Sequence, residues 1–370
     1  MLNAAHVLMT TDTVGGVWSY SVELAHELAN HGVRVTLASM GAPVSASQRA
    51  QVAALPSVAL HESSFRLEWM DQPWADVDAA GEWLLSLESK LRPDVVHLNG
   101  FAHGALPFRA PQIVVAHSDV LSWFEAVRGT DAPESWRKYR ERVRAGLLAA
   151  KFVVAISGAV ADSIGRHYDV PPPTVIHNGV ASQGYSCGPK EDLVLGSGRA
   201  WDEAKNLLTL DAAAGVISWP VYIAGATESP NGNAVTFRHA QPLGFVAAHN
   251  LRDWYSRASV YALPAVYEPF GLTILEAALS GCALVLGDIP SLRELWARAA
   301  TFVPPRDVSA IASAIESLAA RPRIVREMGR RAYERARCFT AKKMAACYLE
   351  LYRQLLNTTH TREVFSACES

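Results

Sequence analysis

His6-Val7-Leu8-Met9, then Val17–His31, then Arg34-Val35-Thr36-Leu37-Ala38-Ser39 form the stretch whose reading decides the fold. The first piece is a short apolar run of the kind carried by a strand buried on both faces. The second places Val17, Tyr20, Leu24 and Leu28 at helical spacing, and Gly32 stands where the helix should end. The third is a second strand, so the chain opens as strand–helix–strand. The alternation continues. Asp94–Leu98, Gln112–Ala116 and Phe152–Ile156 read as strands, with Pro93 and Pro111 at two of the entries.

A second series follows a polar stretch at Val180–Pro189 that reads as a linker. Its strands are Asp192–Leu195, Val221–Ala224, Ser259–Leu263 and Ala283–Leu286. Helical stretches at Lys205–Ala214, Ala247–Arg257 and Thr273–Ser280 separate them. Strands alternating with helices imply parallel sheets covered on both faces, with right-handed crossovers. Two series imply two doubly wound α/β domains, 1–180 and 181–340. The chain closes on helices at Ser309–Ala319, Arg323–Arg337 and Ala341–Leu356.

Composition narrows the function. Of 370 residues, 50% are hydrophobic and 19% charged, enough apolar content to build two cores. The net charge of −2 supplies no global field for nucleic acid. Cys187, Cys282, Cys338, Cys347 and Cys368 form neither a zinc nor a disulfide framework, which suits a reducing cytoplasm. No apolar run reaches the ~20 residues of a membrane span, so any membrane contact is peripheral. Trp136–Arg144, with Arg137, Lys138, Arg140, Arg142 and Arg144, has two readings. It could touch anionic lipid at the inner face of the membrane or an acceptor phosphate. The commoner reading is a solvated helix face with its arginine stems packed down.

Four places carry candidate chemistry. Gly15-Gly16 follows the first strand, where open α/β sheets bind ligands and a helix start favours an anion. Gly198-Arg199 ends a strand and Lys205 opens a helix, a forked cation and a point cation suited to a diphosphate. Trp201 stands where a dinucleotide fingerprint needs its third glycine, which argues against a nicotinamide enzyme. Glu268-Pro269-Phe270-Gly271-Leu272-Thr273-Ile274-Leu275-Glu276 is a strand-to-helix turn. It spaces two carboxylates around the N–H groups of Gly271–Thr273. His117 ends a strand, with Asp119 close by. His26 and His31, at i and i+5, face different ways and make no metal site, and Asp76-Val77-Asp78 reads as surface.

Together these motifs resemble retaining glycosyltransferases of family 4. Further landmarks in the same order are Asp94-Val95-Val96-His97, Asn178-Gly179-Val180 and Leu243-Gly244-Phe245. The resemblance implies a GT-B fold: two Rossmann-like domains facing each other across a cleft. The N-terminal domain binds acceptor, the C-terminal domain binds donor, and helix 341–357 packs back on the first. It also implies roles. Gly16, Arg199, Lys205, Gly271 and Leu272 hold the donor diphosphate. Glu268, Phe270 and Gly271 meet the sugar, and Glu276 the ribose. His117 and Glu268 are the catalytic pair, with His117 orienting the sugar and stabilising charge. The partners expected are a nucleotide diphosphate sugar and a saccharide, lipid-linked or small-molecule acceptor, with no metal or other cofactor. His177 and Ala181 flanking Asn178-Gly179-Val180, and Ala265, depart from the family pattern. A GT-B epimerase and a non-catalytic sugar-nucleotide-binding protein are the alternatives.

Overall fold

The computed structural model describes residues 5–228, 232 and 234–368, with side chains through Asn357. The chain divides into two compact units. The first comprises 1–122, 131–179 and 341–370, and the second 123–130 and 180–340. Residues Trp123–Thr130, expected in the N-terminal domain, therefore belong to the second unit.

The first unit is built on a seven-stranded parallel sheet in the order β3-β2-β1-β4-β5-β6-β7. Its strands are β1 (His6–Asp12), β2 (Arg34–Met40), β3 (Val58–Glu62), β4 (Val95–Leu98), β5 (Gln112–Ala116), β6 (Phe152–Ala155) and β7 (Thr174–Val175). Register follows the apolar runs: Val7 lies beside Val35 on one side and Val95 on the other. Helix α1 (Gly16–Asn30) buries Trp18, Tyr20, Leu24 and Leu28. Trp18 takes the place expected for Val17, its indole donating to Gln51 Oε1 at 2.9 Å. The core includes Leu8 and Ala38 from the sheet packed on Leu84 and Leu87 of the helix Trp74–Leu91. The C-terminal helix Ala341–Cys368 lays Tyr348 and Tyr352 against α1 and β4, with ring centroids of His97 and Tyr348 5.1 Å apart.

The second unit has a six-stranded parallel sheet in the order β10-β9-β8-β11-β12-β13. Here β8 is Glu191–Ser197, β9 Val221–Ala224, β10 Gln241–Gly244, β11 Ala258–Leu263, β12 Ala283–Gly287 and β13 Ala300–Val303. Both sheets have the same winding: the chain moves outward one way, returns to the centre and moves outward the other way. The reversal falls between β1 and β4 in the first unit and between β8 and β11 in the second. Strand ends at such a reversal splay apart and open a crevice for ligand. No helix among the described residues is long and apolar enough to cross a membrane.

Candidate active site

In the second unit the candidate residues gather at the reversal, on the loops after β8 and β11. The β8 loop is held by backbone. Gly198 N–H donates to Ala224 O at 2.9 Å and Ala200 N–H to Ala226 O at 2.9 Å. Gly225, at φ 142°, passes so close that a Cβ there would lie 1.7 Å from Gly198 O. Only glycine fits this position.

Arg199 and Lys205 both have carboxylate partners. Arg199 Nη2 donates to Asp202 Oδ2 at 2.7 Å, and its guanidinium lies 5.2 Å over the Trp201 ring. The other Asp202 oxygen accepts from Ala204 N–H at 3.1 Å and caps the 3-10 turn Glu203–Lys205. Lys205 therefore precedes helix α7 (Leu207–Ala214) and does not open it, as its place in the sequence suggested. Lys205 Nζ donates to Glu268 Oε2 at 2.6 Å. Asn206 pins the turn by donating to Pro264 O at 2.8 Å and Pro305 O at 2.5 Å.

Glu268 is buried at 7% exposure, with its carbonyl held by the Ser291 hydroxyl at 2.6 Å. Gly271, at φ 84°, is the N-cap of α9 (Leu272–Leu279), and a Cβ there would meet Ile274 Cδ1 at 2.6 Å. The helix begins one residue earlier than expected and has no side-chain cap. The first N–H groups of a helix lack intrahelical acceptors, and just before this one the Phe270 N–H lies 3.5 Å from Glu268 Oε1. The Phe270 ring is buried 5.6 Å from that of Phe339, so this residue offers a ligand its backbone only. Glu276 is half-buried on α9, and its charge helps push the buried Tyr255 and Tyr261 hydroxyls up from their ordinary range, after burial itself. Tyr261 in turn donates to Thr273 Oγ1 at 2.8 Å.

The Trp123–Thr130 strap clamps this region. Val127 is buried with Ala204 and Val266, and Arg306 donates to Val127 O at 2.7 Å. Arg128 forks onto Glu203 at 2.6 and 2.7 Å and lies 5.2 Å over Trp123.

In the first unit, Gly16 is exposed at the start of α1, after an N-cap Gly15. Asp12 Oδ1 accepts from Val14 N–H at 3.0 Å and Gly15 N–H at 3.1 Å. Two of the loop donors are thus already engaged. His117 is half-buried just beyond β5, with the Tyr20 ring edge-on at 4.6 Å and Asn99 Oδ1 2.8 Å from its Nε2. Burial pushes its pKa down to about 3. A neutral ring supplies a hydrogen bond but no formal charge, which narrows the role expected for it. His97, buried behind, is also pushed down to about 3, by burial and then by His117. Its two nitrogens face Tyr20 OH at 3.2 Å and Tyr352 OH at 2.7 Å. Asp119 is a local anchor for Ser122 N–H and Oγ and for Tyr168 OH at 2.9 Å.

Loops 63–74 and 100–108 of the first unit meet at Glu68, which accepts from Phe101 N–H at 2.9 Å and Ala102 N–H at 2.7 Å. The basic stretch is engaged with its own chain. Arg142 pairs with Asp78 at 2.8 Å and Arg144 with Asp169 at 3.5 Å, while Lys138 and Arg142 lie over Trp74. These contacts favour the solvated-face reading. No group of three or more His, Cys, Asp or Glu is disposed to hold a metal among the described residues. Asn99, Asp202, Gly225 and Arg128 escape sequence reasoning. Asn99 and Arg128 act through neighbours distant in sequence and Gly225 through backbone geometry, while Asp202 acts through residues only two and three positions away.

Comparison with known proteins bears on the family and the fold. Residues 14–183 match the model of Glycosyltransferase Family 4, and 191–321 that of Glycosyl transferases group 1. The chain is 27% identical over 296 residues to the alpha-maltose-1-phosphate synthase of Mycolicibacterium smegmatis, covering 68% of this chain and 75% of that one. Among solved structures, sucrose-phosphate synthase of Thermosynechococcus elongatus superposes with a TM-score of 0.77 at 20% identity, over 96% of this chain and all of that one (100%). Anabaena HepE, solved with UDP and glucose, gives 0.71 at 15% identity, over 95% and 100%. The fold is that of GT-B enzymes, and with both halves matched the chain belongs to the glycosyltransferases of the family 4 type.

Proposed function

We propose that this glycosyltransferase moves a hexosyl group from a nucleotide diphosphate sugar to a hydroxyl acceptor, with retention of anomeric configuration and without a metal or other cofactor. The observation that carries the reading is the convergence of Arg199, Lys205, Glu268 and the α9 N-terminus on the β8–β11 reversal. Two cations and a helix start suit a diphosphate, whose charge grows as the sugar–oxygen bond breaks. That charge is what a metal would otherwise neutralise. The likeness to HepE, solved with UDP and glucose, supports a nucleotide-sugar donor.

In this reading Arg199, Lys205 and the backbone of Gly271 and Leu272 hold the diphosphate, together with Gly16. Glu276 takes the ribose, and Glu268 with the Phe270 and Gly271 backbone takes sugar hydroxyls. His117 orients the sugar. The departing diphosphate oxygen accepts the incoming hydroxyl's proton as the new sugar–oxygen bond forms on the same face. An inverting route would need a positioned base opposite the leaving group. The acceptor is a saccharide, a lipid-linked sugar or a small molecule, met in the cytoplasm.

A thermal-shift panel of UDP, GDP, ADP and TDP sugars identifies the donor, since a ligand specific for the folded state raises its stability. NMR of the product from an α-linked donor then tests retention; a β-linked product would overturn it. Loss of turnover in EDTA, restored by magnesium or manganese, would overturn metal independence.

A further inference from the structure

We propose that Asn99 is a positioning residue. It locks His117 in the tautomer protonated on Nε2, so that Nδ1 presents a lone pair to a hydroxyl of the bound sugar or acceptor. The inference rests on the reading above, in which His117 meets the transferred sugar.

Asn99 follows β4, and Thr10 lies on the adjacent β1 at the sheet's reversal. Asn99 N–H donates to Thr10 Oγ1 at 2.8 Å, fixing the residue's place. Its side-chain Nδ2 lies 2.7 Å from Thr10 O, with Ser21 Oγ at 3.3 Å. A carbonyl oxygen can only accept, so the atom facing Thr10 O must be the amide nitrogen. The opposite amide atom is then the oxygen, Oδ1, and it too can only accept. His117 Nε2, 2.8 Å away, must therefore carry the proton.

In a neutral imidazole the other nitrogen is then an acceptor. The ring stays neutral because burial holds its pKa down to about 3. The Tyr20 ring packs edge-on against it at 4.6 Å. A residue so arranged accepts a hydrogen bond from a hydroxyl. It neither donates one from Nδ1 nor lends positive charge.

The test uses the full chain labelled with 15N-histidine, with the His117 signals assigned through His117→Gln. The expected spectrum at neutral pH has a protonated Nε2 and a bare Nδ1, without any ligand. Asn99→Leu should abolish this preference and give mixed tautomers. Should that variant fail to fold, Asn99→Asp keeps an acceptor in place but adds a charge. It should raise the His117 titration by about one unit or more. A proton on Nδ1 in the unaltered chain would overturn the proposal. So would spectra and titration unchanged in both variants. With UDP-glucose, GDP-mannose or ADP-glucose, whichever stabilises the chain, Asn99→Leu should lower kcat by about tenfold or more with KM little changed. A locked tautomer with full turnover in both Asn99→Leu and His117→Gln would leave the geometry standing. It would refute the placement of His117 at the sugar.

Discussion

Lys205 and Glu268, 63 residues apart, form a single ion pair: Nζ meets Oε2 at 2.6 Å, with the side chains 18% and 9% exposed. The cation assigned to the diphosphate and the carboxylate assigned to the sugar neutralise each other in the free chain. A diphosphate must therefore share or displace this carboxylate. Glu268→Gln should strengthen nucleoside diphosphate binding by roughly three- to tenfold, the scale of a charge-assisted contact relieved of a competitor, while turnover falls. Lys205→Ala should weaken binding by about ten- to a hundredfold. It should also cost about 3 kcal/mol of stability, because Glu268 is left charged and buried. Calorimetry and thermal melts measure both. Equal losses of affinity in the two variants would refute the competition.

The strap through Val127 predicts a different pattern. Ala204, which it covers, adjoins Lys205, and Val266 lies two residues before Glu268; Val266 N–H donates to Ala204 O at 2.9 Å. A charge introduced at Val127 should spread this pair of loops. Val127→Asp should lower both melting temperature and nucleotide affinity, the latter by at least about tenfold, since a buried unpaired charge costs several kcal/mol. Arg128 is solvent-exposed, so Arg128→Ala should change stability by less than about 1 kcal/mol. Full nucleotide affinity in a folded Val127→Asp chain would separate the strap from the donor site.

Acid should destabilise the fold through the buried His97 and the half-buried His117. His97 and His117 have folded pKa values near 3, below the ordinary value of 6.5. Between those values the unfolded chain binds a proton at each histidine and the folded chain does not. Their contribution is complete above about pH 6.5 and is lost as pH falls towards 3, by up to about 1.4 kcal/mol per pH unit for each. Urea unfolding at pH 7.5 and 5.5 should show the loss. His97→Gln, which still offers the Tyr20 and Tyr352 hydroxyls polar partners, should flatten the slope. Equal stability at the two pH values in the unaltered chain would contradict the assignment. Catalysis should show no step from His117 between pH 6 and 8.

The sequence made the centre of each sheet legible and hid its borders. Every strand found by its apolar run is interior, whereas β3, β7, β10 and β13, the four it missed, are the sheet edges. Edge strands face water: Thr174 and Val175 of β7 are exposed, as are Gln241 and Pro242 of β10. Without burial on both faces they carry no continuous apolar run. Arg199, Lys205, Glu268 and His117 stood out because strand ends and a Pro/Gly turn mark them. Lys205 and Glu268 are each other's partners, but the other side chains that hold this region did not stand out. Asn99 reaches His117 across 18 positions and Arg128 reaches Glu203 across 75, separations that no local pattern bridges. The strap itself is short and irregular, and no periodicity assigns it to the second unit.

Asp202 offers the sharpest test of how the diphosphate site is set. Its carboxylate does two things at once: Oδ2 neutralises Arg199 at 2.7 Å, and Oδ1 caps the turn through Ala204 N–H at 3.1 Å. Asp202→Asn preserves an acceptor for the cap and removes the charge, whereas Asp202→Ala removes both. If Asp202 holds Arg199 in place of a phosphate, both variants should bind nucleoside diphosphate more tightly, by roughly three- to tenfold. Only the alanine variant should lose stability, by about 1 kcal/mol for the missing cap. The Trp201 ring still supports the guanidinium in either variant, so Arg199 need not leave the site. The opposite sign is equally informative. Weaker binding in a fully stable Asp202→Asn chain would mean that Asp202 aims the guanidinium at the ligand, and the picture of a competing carboxylate would fall. Calorimetric titration of the two variants, with melting curves recorded on the same samples, distinguishes the outcomes.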